Sequence, residues 1–391
     1  MSFTRIEAFL FEGSLVMAKR AHGEGSITHR KDGRWMTTMT LEDGKRKYFY
    51  GATQAEALGK LREALHQQKQ GTLATGKAQT LKTYLNHWLE DVHKSSLKPT
   101  TYISYRAILN NHILPILGHI QVQKLTPQHV QSFYAKKLKE GLSPKTINRF
   151  HAVLHKALDN AVRWNIVGRN VCDVVTKPRE KRYEIHPLTE DQAGKLLDAV
   201  KGNTLEGLIT VALATGMRRG ELLGLKWGDI DFEGKCIYVR RSAVRVGKLG
   251  VVESDPKTAM SRRKIMLPHF VIDVLKMHQL RQREKKAACR GAWKDSGYVF
   301  CNGQGGYLSD AQLYKMYKRL LRQAGLPNIR FHDLRHSAAT IMISMGVNPK
   351  VVQEVLGHSN IGMTLNTYTH VLPSMQEEAT AKLDNLFGQK R

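Results

Sequence analysis

The sequence predicts an α+β multidomain chain: a small β-β-β-α module, a four-helix bundle, and a mainly helical part with a small β-sheet inserted. Three observations predict it. Asp32-Gly33 and Asp43-Gly44 separate short alternating segments near the start. Helical signals then run unbroken from Thr80 to about Thr176. Strand patterns at 236–246, 249–254 and 262–267 interrupt a second helical stretch. A length of 391 residues, about two to three ordinary domain lengths, fits three such parts.

Residues 1–23 carry no periodic pattern and read as an unstructured extension. In the module, residues 24–70, the segments GSITHR, RWMTTMTL and KRKYFYG are strands joined at the Asp-Gly pairs. Thr53-Gln-Ala-Glu56 then forms a capping box for a helix through Ala57, Leu58, Leu61 and Leu65. The polar stretch at 71–80 is a linker. Lys45, Arg46 and Lys47, with Tyr48 and with Arg34 on the neighbouring strand, make a basic surface of the kind that lies in a DNA groove. A solvated sheet edge guarded by lysines accounts for the same residues.

In residues 81–175, Thr126-Pro127 and Ser143-Pro144 each pair an N-cap residue with proline at the first helical position, and Gly141 stops the helix between them. Ile147, Phe150, Val153, Leu154, Leu158 and Val162 stripe the last helix at core spacing. Over residues 81–185, 17 Lys plus Arg face 7 Asp plus Glu, a balance of +10, against +5 over 1–80 and +12 over 186–391. Lys136, Lys137, Lys139, Lys145, Arg149 and Lys156 fall on or beside consecutive helices and suit a surface that tracks phosphates. For any one of these helices alone, a solvated lysine-rich face is the ordinary explanation.

A basic, proline-bounded linker spans 176–187. Residues 188–391 open with Leu188-Thr189-Glu190-Asp191, acids in a first helical turn. Helices follow over about Leu205–Ala214 and from near Arg219, then the strands at 236–246, 249–254 and 262–267, then helices for nearly all the rest.

The formal net charge is +27, from 61 Lys plus Arg against 34 Asp plus Glu. That excess concerns partners rather than fold, and nucleic acid is the usual partner of so basic a chain. Cys172, Cys236, Cys289 and Cys301 share no Cys-x-x-Cys spacing, which argues against a disulfide framework or a zinc site. No apolar run approaches the roughly 18 residues of a membrane span. A cytoplasmic, nucleoid-associated protein with no membrane partner is expected.

Chemistry-bearing residues gather in four segments of the third part: ATGMRRGELLGLKW with Arg218 and Glu221, PKTAMSRRKIMLP with Lys257, FHDLRHSAAT with His332 and Arg335, and LGHSNIGMTLNTYTH with His358 and Tyr368. Singly each has a bland role. Arg218 suits a helix start, Lys257 a turn, His332 and Arg335 a surface pair one turn apart, His358 a cap, and Tyr368 a packed amphipathic side chain.

In this order the segments resemble the catalytic domain of the tyrosine recombinases, the phage integrase family, and the resemblance extends over roughly residues 24–380. It implies that 24–70 is an arm-type DNA-binding domain, 81–175 a helical core-binding domain and 188–391 the catalytic domain with a C-terminal tail. Tyr368 would be the nucleophile and Arg218 and Arg335 the guanidinium forks on the scissile phosphate. Lys257 would protonate the leaving 5′-oxygen, with Lys248 and Lys264 as rivals on the same hairpin. His332 would contact the phosphate or assist proton transfer, and His358 would donate to a non-bridging oxygen. Glu221 would orient Arg218 or a histidine, while Arg219 points elsewhere. No Asp/Glu cluster at metal-ligand spacing accompanies these residues, so no cofactor is expected and the cations of the site are side chains.

The implied function is site-specific recombination by a phage or other mobile-element integrase, acting through a 3′-phosphotyrosyl intermediate without metal or ATP. The implied partners are double-stranded DNA at core-type and arm-type sites, three further protomers in a homotetramer on DNA, and an excisionase or host DNA-bending protein. Past Tyr368, Ala379, Leu383, Leu386 and Phe387 make a short apolar stripe that would either dock on its own domain or link protomers. The rivals are a type IB topoisomerase, which shares the chemistry but relaxes supercoils, and a non-catalytic DNA-binding protein. The separate β-β-β-α module argues against the first and the complete residue set against the second.

Overall fold

The computed structural model describes residues 26–41, 44–70, 73, 76–180, 186–255, 262–289, 291–357 and positions 380, 384 and 387. The expected extension 1–23 and most of the tail lie outside the described residues. Contacts divide the chain into two compact units, Met1–Lys181 and Arg182–Arg391.

In the first unit, β1 (Ser26–His29), β2 (Trp35–Thr40) and β3 (Arg46–Gly51) form one antiparallel sheet in chain order. Helix α1 (Gln54–Lys69) packs Leu61 and Ala64 against Met39, with Phe49 and Leu58 at the edge of this small core. Its cap differs by one residue from the expected box. Thr53 Oγ1 accepts from the Glu56 N–H at 3.2 Å, but the Glu56 carboxylate takes the Ala52 N–H at 2.8 Å.

Four helical rods follow. The first is α2 (Leu81–His87), continuing through a π turn, Trp88–His93. The second is α3 (Pro99–Ile108), a π turn at Leu109–Ile113, and α4 (Leu114–Leu117). Pro115 has no N–H to give the preceding turn and its ring crowds that turn, so the helix widens there. The third and fourth rods are α5 (Pro127–Lys139), capped by Thr126, and α6 (Pro144–Arg163), capped by Ser143. Tyr84, Trp88, Phe133, Tyr134, Ile147 and Leu154 fill the core between them. The two buried tyrosine hydroxyls are satisfied, by the Ala157 carbonyl at 2.5 Å and by His151 Nδ1 at 2.9 Å.

The second unit begins with α7 (Glu190–Val200), closed by a capping box between Thr189 and Gln192, and α8 (Glu206–Thr215). Helix α8 is apolar on every side, with Leu208, Ile209, Val211 and Ala212 all buried, and it forms the centre of the unit. Then come α9 (Arg219–Leu223), β4 (Ile230–Asp231), β5 (Cys236–Val239), β6 (Ser242–Arg245), β7 (Val251–Ser254) and β8 (Arg263–Met266). Helices α10 (His269–Ala288), α11 (Asp310–Gln323), α12 (Asp333–Ser344) and α13 (Pro349–Leu356) complete it.

The single inserted sheet expected here is two sheets, β4-β5-β8 and a separate β6-β7 hairpin. The strand expected over 236–246 breaks at Arg240-Arg241, because both guanidinium groups turn to the buried Asp229 carboxylate, Arg240 at 3.6 Å and Arg241 in direct contact. All four cysteines are free. No helix among the described residues is long and apolar enough to cross a membrane.

Candidate active site

The site is built where α8 stops. Gly216, at φ 58°, turns the chain out of α8, and two residues later Arg218 opens α9. The left-handed φ at Gly216 favours glycine, and a Cβ there would press on Leu356 Cδ2 of α13 at 2.4 Å while meeting Ala338 Cβ of α12 at an ordinary 3.5 Å. Arg335, in the first turn of α12, is 4% exposed and donates from Nη1 to the Gly216 carbonyl at 2.8 Å. Arg218 and Arg335, far apart in sequence, therefore converge on one turn.

Glu221 is buried and holds Arg218 twice, accepting from Nη1 at 2.8 Å and from the backbone N–H at 3.0 Å. Arg218 Nη2 donates to the Gly357 carbonyl at 2.9 Å. Two of the five guanidinium N–H groups are thus engaged, and three have no protein partner among the described residues. The side chain is 37% exposed. Arg263, on β8, completes the cluster. It donates from Nη2 to Glu221 Oε2 at 3.0 Å and from Nε to the Val355 carbonyl at 2.6 Å. Burial acts to push the Glu221 carboxyl up, but Arg263 and then Arg218 outweigh it and hold the group below the usual carboxylate range.

His332 sits at the N-terminal boundary of α12, its ring edge-on to His336 with centroids 5.5 Å apart. It reaches solvent, yet enough protein surrounds the ring that burial, followed by His336 and Arg335, pushes it down to about 4. The imidazole is neutral at pH 7. Arg219 turns away and pairs with Asp310 at 3.2 Å. Lys257, His358 and Tyr368 lie outside the described residues.

Sequence reading passes over Arg263. Its signal is an arginine that shares the inward face of β8 with buried Ile265, a place where a charge persists only with partners.

The DNA-contact candidates divide by exposure. Arg34, Lys45 and Arg46 are exposed in the module, as are Lys136, Lys145 and Arg149 in the bundle. Arg34 pairs with Asp32 at 2.8 Å and lies over the Tyr50 ring, and Arg149 Nη2 donates to Ser104 Oγ at 2.9 Å. Two of the expected residues are less exposed than the rest. Lys47 alternates with Arg46 onto the side of β3 that carries Phe49 to α1; it is half-buried, 5.9 Å over that ring, and burial pushes its amine pKa down. Lys137 lies on the buried stripe of α5 with Val130, Phe133 and Tyr134, is 7% exposed, and is bonded to Glu140 at 2.7 Å. Of the two, Lys137 is buried and Lys47 only partly so.

The chain matches the phage integrase family over residues 186–375 and the phage integrase N-terminal SAM-like domain over 80–139. It is 35% identical over 376 residues to a tyrosine recombinase XerC-like protein of Caldanaerobacter subterraneus subsp. tengcongensis, covering 90% of this chain and 96% of the relative. It is 30% identical over 291 residues to the ICEBs1 integrase of Bacillus subtilis, covering 74% of this chain and 78% of that one. The solved structure of the Tn1549 transposon integrase in complex with transposon right end DNA shares the fold at TM-score 0.65 and 24% identity, over 77% of this chain and 99% of the other. The match at 186–375 spans the segments that supply Arg218, Glu221, Arg263, His332 and Arg335 to one cluster, and the chain belongs to the phage integrase family: it is a tyrosine recombinase, an enzyme of site-specific DNA recombination.

Proposed function

We propose that the chain integrates a phage or other mobile element by cutting and rejoining DNA through a 3′-phosphotyrosyl intermediate on Tyr368, without metal or ATP. The observation that supports this most is the convergence of Arg218 and Arg335 at Gly216, with the Arg218 side chain partly exposed and three of its donors without a protein partner among the described residues. A phosphodiester already carries one negative charge and gains more on its non-bridging oxygens in the transition state, which forked guanidinium donors match. In the cleavage step the Tyr368 phenol loses its proton, its oxygen bonds to phosphorus, and the P–O5′ bond breaks. The 5′-oxygen takes a proton from Lys257. His332, neutral at pH 7, can accept the phenol proton, and His358 donates to a non-bridging oxygen. The phosphotyrosyl ester keeps the energy of the broken bond, so attack by a new 5′-hydroxyl reseals the strand.

On this reading residues 24–70 bind arm-type sites, 81–175 and 188–391 bind the core site, and four protomers assemble on DNA, linked by the tail beyond Tyr368. An excisionase or a host DNA-bending protein would set direction. The test uses a nicked duplex carrying the core repeated at the ends of the encoding element. A covalent protein–DNA adduct is expected with wild type, also in the presence of EDTA, and none with Tyr368→Phe. An adduct that persists in Tyr368→Phe refutes the nucleophile, and supercoil relaxation without exchange between two sites refutes the integrase reading.

A further inference from the structure

We propose that Arg263 is a positioning residue that cancels the charge of Glu221 and so leaves Arg218 its full positive charge for the scissile phosphate. This rests on the reading of Arg218 as a phosphate-binding guanidinium.

The cluster holds two guanidinium groups and one carboxylate in direct contact, a net charge of one positive; Glu221 and Arg263 are buried and Arg218 is partly exposed. The Glu221 oxygens divide between them, Oε1 to Arg218 and Oε2 to Arg263. Without Arg263 the remaining Arg218–Glu221 pair would be neutral overall. A phosphate approaching Arg218 would then meet a dipole whose negative end, the buried Glu221 carboxylate, is fixed behind it where water screens it little.

Geometry adds to charge. Arg263 and Arg218 hold the same helix end: Arg263 Nε donates to the Val355 carbonyl and Arg218 Nη2 to the Gly357 carbonyl at the C-terminus of α13. Carbonyls at a helix end have no partner within the helix and carry partial negative charge, so cations are favoured there. Gly357, at φ 67°, ends α13, and a Cβ on it would lie 3.1 Å from Arg263 Nη1. One side chain on β8 therefore holds both the carboxylate and the helix end on which Arg218 rests.

The test compares full-length wild type, Arg263→Gln, Glu221→Gln/Arg263→Gln and Arg218→Ala in single-turnover cleavage of the nicked core duplex. Two substrates are used, one with the natural scissile phosphate and one with an uncharged methylphosphonate there. On natural DNA, Arg263→Gln should cleave about 100-fold slower than wild type, the scale of a misplaced catalytic group, with DNA binding within about 3-fold. Two results follow from charge cancellation alone. The methylphosphonate should largely restore Arg263→Gln, because the charge Arg218 must meet is gone. The double variant, which removes both partners of the buried pair, should cleave natural DNA at least about 10-fold faster than Arg263→Gln. Equal losses on both substrates, or a double variant no faster than the single, overturn the proposal. If Arg263→Gln fails to fold, the double variant, free of any unpaired buried charge, carries the comparison between substrates. If Arg218→Ala itself is not rescued by the methylphosphonate, the reading of Arg218 falls; if it is rescued and Arg263→Gln is not, only the role of Arg263 falls.

Discussion

Arg335 is a cation at 4% exposure, and a charge that buried persists only where its surroundings are arranged for it. Its bond to the Gly216 carbonyl fixes the guanidinium at the turn from which Arg218 emerges. On the proposed role of Arg335 at the scissile phosphate, its removal takes away a transition-state donor, a loss of about 10²–10³ in rate. Arg335→Ala should therefore lose cleavage on that scale while DNA affinity in a mobility-shift assay stays within about 3-fold, since surface cations supply most of the binding. A loss of affinity that matches the loss of cleavage would make Arg335 a binding residue only. At this scale the grouping of Arg218, Glu221 and Arg335 was legible, because they stand in segments that resemble the catalytic domain of one family, and they meet at the Gly216 turn. Arg263 was not, because its placement depends on Glu221 of α9 and on Val355 and Gly357 at the end of α13 arriving at one point on β8.

Among the elements, α8, α12 and α13 depend on Gly216 for their close approach. Gly216→Ala would place a left-handed non-glycine residue and a methyl 2.4 Å from Leu356 Cδ2, at a cost of about 2–4 kcal/mol. The thermal midpoint should drop, and cleavage should drop further than the lost folded fraction because the turn carries both arginines. An unchanged midpoint would mean the helices part without cost. Helix α5 shows why residue type alone misleads. Its lysines were read together as a phosphate-tracking surface, yet Lys137 stands seven residues after Val130 on the buried stripe, whereas Lys136 points outward. Lys136→Ala and Lys145→Ala should each lower the salt dependence of DNA binding by about one phosphate contact. Lys137→Met should leave that slope unchanged, because the charge it removes already belongs to Glu140. The break in the strand at Arg240-Arg241 was hidden for a related reason: its cause is a carboxylate at Asp229, distant from the local alternation that suggests one strand.

At the scale of the molecule, five histidines among the described residues, His112, His151, His278, His332 and His336, are held below their ordinary value, with burial the leading cause in each. Depressed in the folded state, they stay neutral where the unfolded chain takes up protons. Their stabilisation is complete above about pH 6.5 and is lost as pH falls towards the folded values, about 4 for His332. The thermal midpoint should fall from pH 7 to pH 5, and a flat or rising profile would contradict this burial. The three-part organisation read from pattern meets a structure in which contacts divide the chain only once, near Lys181. The module nevertheless has its own core around Met39, Leu61 and Ala64, and none of those residues belongs to the bundle core around Trp88, Tyr134 and Leu154. Deleting residues 1–75 therefore removes no side chain on which the bundle core depends, and the truncated chain should fold. Its loss takes away Arg34, Lys45 and Arg46, while Arg218, Glu221, Arg263, His332 and Arg335 all remain. If the module serves a second class of DNA site, the truncated protein should form the covalent adduct on the nicked core duplex at close to the full-length rate and fail to join two sites in an integration assay. Parallel loss of both activities would assign residues 24–70 to the core site, and full retention of both would leave the module without a role in recombination.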